Sequence, residues 1–341
     1  MRILITRTDR MGDVILSIPA VRHLRKVLPD AYIAFMVAAE NRELVESEKD
    51  IDEVILYDKK GMHKGFWANL CFAGALRNKK FDLAIALHPS NRTHLTLFAA
   101  GIPRRLGYNK KRGYLLTERM PHEKQLGEKH EVDYNLELIA AAGFDITGAD
   151  RQPRVSVSNN VLRDMKKCLK DLGLSGKLAV IHAGASCVSK MWPLERFAEV
   201  GDTIIEKYSA GVVIVGDTSC KNGARSLIRM MKNKPTDLTG ALGLSQLAAL
   251  FSLCDVVLSN DSGPAHLASA VGTPIVVIFG RNDAGLSPKR WAPVTDKKRV
   301  FHDPPQCSPC LAHNCEKGFL CLRNIRSGEV ASAAGEFLRD K

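Results

Sequence analysis

Short apolar runs rich in β-branched residues alternate with helix-length segments along the whole chain, the pattern of parallel sheets with crossover helices. Residues 3–6, 31–37, 54–57 and 83–87 read as strands. Between the first two, residues 14–28 carry apolar side chains at Val14, Ile18, Val21, Leu24, Val27 and Leu28, a 3.6-residue spacing that predicts one buried helix face ending at Pro29. A second series begins after Pro153, with strands at 178–182, 212–215, 256–258 and 275–279 and helical stretches at 194–208, 222–231, 245–251 and 265–271. Each series suffices for a doubly wound sheet of its own. Residues 143–158, holding Gly143, Gly148 and Pro153 and few long apolar runs, read as the linker. Two similar α/β units predict a cleft between them, and clefts between domains are where ligands usually sit.

Composition narrows the possibilities further. A chain of 341 residues, 45% hydrophobic and 25% charged, is neither disordered nor a disulfide scaffold. Its longest stretch without Asp, Glu, Lys or Arg, residues 262–280, is interrupted by Gly263, Pro264, His266, Gly272 and Pro274, so no membrane span is expected. The apolar start turns polar at Arg7 and reads as a strand rather than a signal peptide, which leads us to expect a cytoplasmic chain. Nine cysteines, five of them scattered singly, suit free thiols or metal ligands better than bridges. The formal charge of +12 calls for an anionic partner.

Three polar, glycine-containing loops follow strands, at the sheet edge that faces the ligand crevice in open α/β folds. The first, residues 7–13, presents Gly12 and Asp13; Asp13 is either a helix cap or a general base. It is neither a Gly-x-Gly-x-x-Gly fingerprint nor a phosphate-binding Gly-Lys-Ser/Thr loop. The second, residues 182–193, combines the small residues Gly184 and Ser186 with Lys190 and a Trp192-Pro193 helix start, a combination suited to a diphosphate. The third, residues 259–266, runs from a strand into a helix through Asp261, Ser262, Gly263 and Pro264 to His266; its amides suit a phosphate leaving group and its polar side chains a sugar.

Met11-Gly12-Asp13, the stretch 184–193 with its Lys-x-Trp-Pro, residues 260–266, and residues 100–108 follow one another in an order and spacing that resembles the lipopolysaccharide heptosyltransferases of glycosyltransferase family 9, most like heptosyltransferase II. The resemblance covers nearly the whole chain. It implies a GT-B fold of two Rossmann-like α/β domains facing across a cleft, inverting transfer from ADP-heptose without a required cofactor or metal, and an anionic lipid A/Kdo glycolipid acceptor. On this reading residues 1–152 bind the acceptor and carry Asp13 as catalytic base. Residues 153–325 bind the donor through Gly184, Ser186, Lys190, Asp261, Ser262, Gly263, Pro264 and His266. Residues 326–341 form a helix returning toward the amino-terminal domain. One departure stands out: after the strand 275–279 the family usually continues Gly-Pro-Thr, and here the chain reads Gly280-Arg281-Asn282.

Residues 77–112 contain nine Lys or Arg against the single acid Asp82. A cluster of this kind is either a solvated face or a docking surface. In the acceptor half it is expected, with Gly12, Arg104, Arg105, Lys110 and Lys111, to meet an anionic glycolipid at the inner face of the membrane. Near the carboxyl terminus Cys307, Cys310, Cys315 and Cys321 form a C-x2-C-x4-C-x5-C series, readable as reduced packed thiols or as a structural zinc site. The competing classes are a transferase of the same fold using another nucleotide sugar, a dinucleotide enzyme such as an NDP-sugar epimerase, and a non-catalytic basic protein binding nucleic acid or another anion. The missing glycine fingerprint weighs against the dinucleotide enzyme. The lack of any recognition motif leads us to expect no nucleic acid.

Overall fold

The structure, a computed structural model, describes residues 1–307 and 309–339. The chain divides into two compact units, Met1–Pro153 and Arg154–Lys341.

In the first unit, β1 (Arg2–Arg7), β2 (Tyr32–Ala38), β3 (Glu53–Tyr57), β4 (Leu83–Ala86), β5 (Arg104–Tyr108) and β6 (Glu118–Met120) form one sheet in the order β3-β2-β1-β4-β5-β6. Neighbours run parallel, with Ile5 opposite both Phe35 and Ile85. Because every crossover returns the chain to the same edge, the strands bury both faces. Leu4, Met36, Tyr57, Ala84 and Ala86 pack with Ala73, Leu76 and Leu97 of the covering helices.

The second unit repeats the plan. Strands β7 (Leu178–His182), β8 (Gly211–Ile214), β9 (Thr236–Asp237), β10 (Val256–Asn260), β11 (Ile275–Phe279) and β12 (Lys298–His302) lie in the order β12-β11-β10-β7-β8-β9. Both orders are the dinucleotide-fold order, which reverses between the first and fourth strands of each unit and opens the sheet there. The reversals fall between β1 and β4 and between β7 and β10.

Two expectations need correction. The helix expected over 14–28 is two helices, Met11–Ile15 and Ile18–Val27. Pro19 lacks the N–H to continue a helix and occupies the first turn of the second one, while Ser17 Oγ donates to the Asp13 carbonyl at 2.8 Å. Asp13 thereby sits on a short helix of its own. Strands β5, β6, β9 and β12 escape the hydrophobic pattern because three of them are sheet edges and β5 begins with two arginines. The helix Ser327–Arg339 packs within the second unit. Its Val330, Ala331, Ala334 and Leu338 are buried in the core of the second unit with Trp192, Phe197, Val200 and Ile204. Gly335 lets the Tyr208 ring pack directly on the helix backbone. The last two residues of the expected 326–341 segment, like Ser308 within the cysteine series, lie outside the described residues.

Candidate active site

Asp13 is the third residue of its helix, whose N-cap is Arg10, so it does not cap that helix. Its Oδ1 instead accepts a close hydrogen bond from Arg7 Nη2. Arg7 is the last residue of β1 and only 2% exposed. Its guanidinium is shared among carboxylates: Nε donates to Asp9 Oδ1 at 2.8 Å and Nη1 to Glu131 Oε1 at 2.9 Å. Lys124 Nζ donates to the same Glu131 oxygen at 2.7 Å. Arg7 therefore stays charged despite its burial, since these three carboxylates outweigh the desolvation. Burial, against the pull of Arg7 and helped by Asp9 and Glu131, holds the Asp13 carboxyl above its ordinary range. The Asp13 side chain keeps 15% of its surface exposed.

His88 follows β4, on the other side of the reversal in strand order. Its Nδ1 lies 3.3 Å from Asp9 Oδ2. Burial and the Arg7 charge push its pKa down to about 3, so the imidazole is neutral at physiological pH. Neither Arg7 nor His88 was among the expected site residues. His88 was findable, since it directly follows an expected strand; Arg7 draws its meaning from Glu131, 124 residues away.

The basic cluster does not form one surface. Arg104 and Arg105 open β5, opposite Leu83 and Ala84 of β4, at the edge of the sheet opposite to Asp13. Both are structural: Arg104 pairs with Glu118 through Nε at 2.8 Å and Nη2 at 3.0 Å, and Arg105 Nε donates to the Leu115 carbonyl at 2.9 Å. Lys79 belongs to that far edge too, its carbonyl accepting from Arg2 at the start of β1. Lys110 and Lys111, by contrast, follow β5 at the Asp13 edge, where Lys111 bears on the His88 imidazole. Buried Gly12 also lies at that edge. The acceptor role expected of Arg104 and Arg105 is therefore withdrawn. The alternation of strand and crossover helix carries sequence neighbours to opposite edges.

In the second unit the loops after β7 and β10 meet at the reversal in strand order. Asn260 Nδ2 donates to the Ala183 carbonyl at 2.8 Å, and Trp192 N donates to Asn260 Oδ1 at 3.1 Å. Lys190 Nζ lies 2.5 Å from Asp261 Oδ2, the two side chains 16% and 8% exposed. Ser262 is the N-cap of the helix Gly263–Ala270, with Pro264 in its first turn and His266 buried. His182 Nδ1 lies 3.3 Å from Ser262 Oγ and 3.4 Å from Ser259 Oγ. Burial lowers its pKa to about 4. At Gly184 any Cβ would stand 2.7 Å from Cys220 Sγ and 3.2 Å from His182 Nε2, so the backbone approaches as only glycine allows. Ser186 is exposed at the outer rim of this loop.

The departure at Gly280-Arg281-Asn282 has a structural meaning. Arg281 adopts φ 69°, rare for a non-glycine residue, and is 6% exposed. Its Nε and Nη2 donate to Ser189 Oγ at 2.9 and 2.7 Å, and Nη2 lies 2.7 Å from Cys187 Sγ. Arg281 thus fastens the loop that carries Lys190. Cys307, Cys310, Cys315 and Cys321 line one cavity of about 320 Å³ together with Asn282 and Glu316. Burial raises the Cys321 thiol above its ordinary value. Among the described residues no three or more His, Cys, Asp or Glu side chains are disposed to hold a metal ion.

The model of glycosyltransferase family 9 (heptosyltransferase) matches residues 70–320. The chain belongs to this family. A family 9 glycosyltransferase from Veillonella parvula is similar in structure, with a TM-score of 0.89 and 26% identity, over 100% of this chain and 98% of that one. The ADP-heptose lps heptosyltransferase II of Escherichia coli shares the fold at a TM-score of 0.80 and 23% identity, covering 99% of each chain. The lipopolysaccharide core heptosyltransferase OpsX of Haemophilus influenzae is 26% identical over 307 residues, 87% of this chain and 82% of that protein. The family 9 chain is therefore an α/β protein of the GT-B class and a glycosyltransferase. Among its described residues no helix is long and apolar enough to cross a membrane.

Proposed function

We propose that this family 9 enzyme transfers heptose, with inversion, from ADP-heptose to a hydroxyl of the lipopolysaccharide inner core, a Kdo- or heptose-bearing lipid A, at the cytoplasmic face of the inner membrane. Support for the donor comes from the Escherichia coli heptosyltransferase WaaC, solved with ADP-2-deoxy-2-fluoro heptose. The observation that carries the mechanism is the state of Asp13: largely buried, oriented by Arg7 and held above its ordinary pKa. A carboxylate of that kind is a better proton acceptor than a solvated one.

In the proposed reaction Asp13 takes the proton of the acceptor hydroxyl as its oxygen bonds to the anomeric carbon. The bond from that carbon to the donor phosphate breaks on the opposite face, and the electron pair leaves with ADP. The charge growing on the diphosphate is met by Lys190 and by the backbone amides at the start of the helix Gly263–Ala270, with Gly184 admitting the phosphates to the backbone. The reading takes these groups to serve in place of a divalent cation, so chelation by EDTA leaves turnover unchanged. Lys110 and Lys111, at the Asp13 edge, serve the anionic acceptor.

Asp13→Asn is the deciding variant. Turnover of ADP-heptose with purified acceptor falls by about 10²–10⁴-fold while ADP affinity is kept. Retained kcat in that variant overturns the assignment. In the wild-type enzyme, the acid limb of kcat against pH lies above that of an ordinary carboxylate, because activity appears only as pH rises through the elevated Asp13 pKa.

A further inference from the structure

The helix Phe66–Asn78 buries one face, through Ala73 and Leu76, and leaves an apolar stripe in solvent on the other. Phe66 is 69% exposed, Trp67 75% and Leu70 47%, and Met62 in the preceding turn is 80% exposed. Phe66 and Trp67 pack edge to face, ring centroids 5.5 Å apart, and Cys71, Gly74 and Ala75 continue the exposed stripe. Helical spacing puts 66, 67, 70, 71 and 74 side by side, so these are one patch rather than scattered residues. Large apolar groups gathered this way on a solvent face mark an interaction surface.

Charge identifies what would cover it. Exposed Lys60 and Lys64 flank the start of the helix, where Arg92 also donates to the Lys59 and Lys64 carbonyls; Arg77, Lys79 and Lys80 lie at its other end, where Lys79 pairs with Glu53. Self-association through this face would set two such cationic segments against each other. An anionic bilayer meets both features, with the aromatic rings in the interfacial zone and the lysines among lipid phosphates. The helix starts at the carboxyl edge of its sheet, where β3 ends and where Asp13 lies.

We propose that the amino-terminal end of the helix Phe66–Asn78, with Met62, Phe66, Trp67 and Leu70, inserts into the headgroup boundary of an anionic membrane, steered by Lys60 and Lys64. The surface rests on the lipid-borne acceptor proposed above for its purpose, though not for its binding.

The test uses the full chain and vesicles of phosphatidylglycerol with phosphatidylethanolamine, against phosphatidylcholine vesicles. The wild type is expected to co-sediment at least tenfold more strongly with the anionic vesicles. Its Trp67 emission, isolated by subtracting a Trp67→Phe blank, shifts to the blue and is quenched by brominated acyl chains. A Phe66→Ser/Leu70→Ser variant loses at least tenfold in vesicle affinity, and Lys60→Gln/Lys64→Gln loses the preference for anionic lipid. Both keep wild-type ADP affinity, and both keep kcat/KM on a delipidated, soluble acceptor. Unchanged vesicle binding in both variants, unquenched Trp67, or a wild-type dimer that the serine variant converts to monomer in light scattering overturns the proposal. Absent turnover on soluble acceptor with vesicle binding intact would instead overturn the heptosyltransferase reading and leave the membrane surface standing.

Discussion

His182 gives the most direct test of how the donor-side site is built. The imidazole ends β7, is 7% exposed, and lies within 3.4 Å of the hydroxyls of Ser259 and Ser262. Burial lowers its pKa from the ordinary 6.5 to about 4. A base depressed on folding binds its proton first in the unfolded chain, so stability is whole above pH 6.5 and is lost as pH falls toward 4. At about 1.4 kcal/mol per pH unit the full loss is about 3 kcal/mol, most of which has gone by pH 4.5. Urea unfolding of a Trp67→Phe background reads the second unit alone, because Trp192 and Trp291 both lie there. Comparing that background with one that also carries His182→Gln, at pH 7.5 and 4.5, isolates the histidine from the other titrating groups. The glutamine protein is expected to be less stable at pH 7.5 and to lose about 2–3 kcal/mol less on acidification. Equal losses in the two proteins, or an imidazole that titrates near 6.5 by NMR in the native state, would refute the reasoning.

Further outcomes follow from neighbouring contacts. Lys190→Ala removes the cation proposed for the diphosphate and breaks its ion pair with Asp261; ADP affinity by calorimetry falls at least tenfold, and Asp261→Asn in the same chain does not restore it. Gly184→Ala drives a Cβ against Cys220 Sγ, so ADP affinity falls several-fold and is partly restored in a Cys220→Ala background, measured by the same titration. Gly335→Ala forces a methyl into the Tyr208 ring, and the second unit loses about 1–3 kcal/mol in urea unfolding despite the better helix propensity. That last loss disappears in a Tyr208→Val background if the ring is what the methyl meets.

What the chain made legible depended on whether a signal was local. The loops after β1, β7 and β10 announced themselves by small and polar residues following buried strands, and the structure puts each at a reversal in strand order. The break at Leu16-Ser17 was also present, in Pro19, but an uninterrupted apolar spacing outweighed it. The basic stretch misled for a topological reason. In a parallel sheet each strand crosses from one edge to the other in about 15–20 Å, so Arg104 at the start of β5 and Lys110 just beyond its end serve different surfaces. Arg7 was illegible because a charged residue ending a strand reads as a turn to solvent; its burial requires Asp9, Asp13 and Glu131 together, and Glu131 comes from the far end of the unit. The direction in which Ser327–Arg339 packs was decided by Gly335 and the alanines beside it, small residues whose partner no periodicity names.

The two half-sites solve opposite electrostatic problems in related ways. Asp13 must be oriented without being neutralised. A dedicated Arg–Asp pair would hold the carboxylate ionised but make it a poor proton acceptor. Dividing the Arg7 guanidinium among Asp9, Asp13 and Glu131 fixes the Asp13 carboxylate without giving it the whole cation, and burial, helped by the surrounding negative charge, restores its basicity. Lys190, conversely, must be held extended before any diphosphate arrives. Asp261 does this, and Arg281 holds the loop beneath through neutral acceptors, Ser189 Oγ and Cys187 Sγ, adding rigidity without competing for the lysine. A diphosphate that displaces one carboxylate from Lys190 exchanges a single negative partner for a more highly charged one at a site already mostly stripped of water. The cost of ordering and desolvating the lysine has then been met in folding rather than at binding.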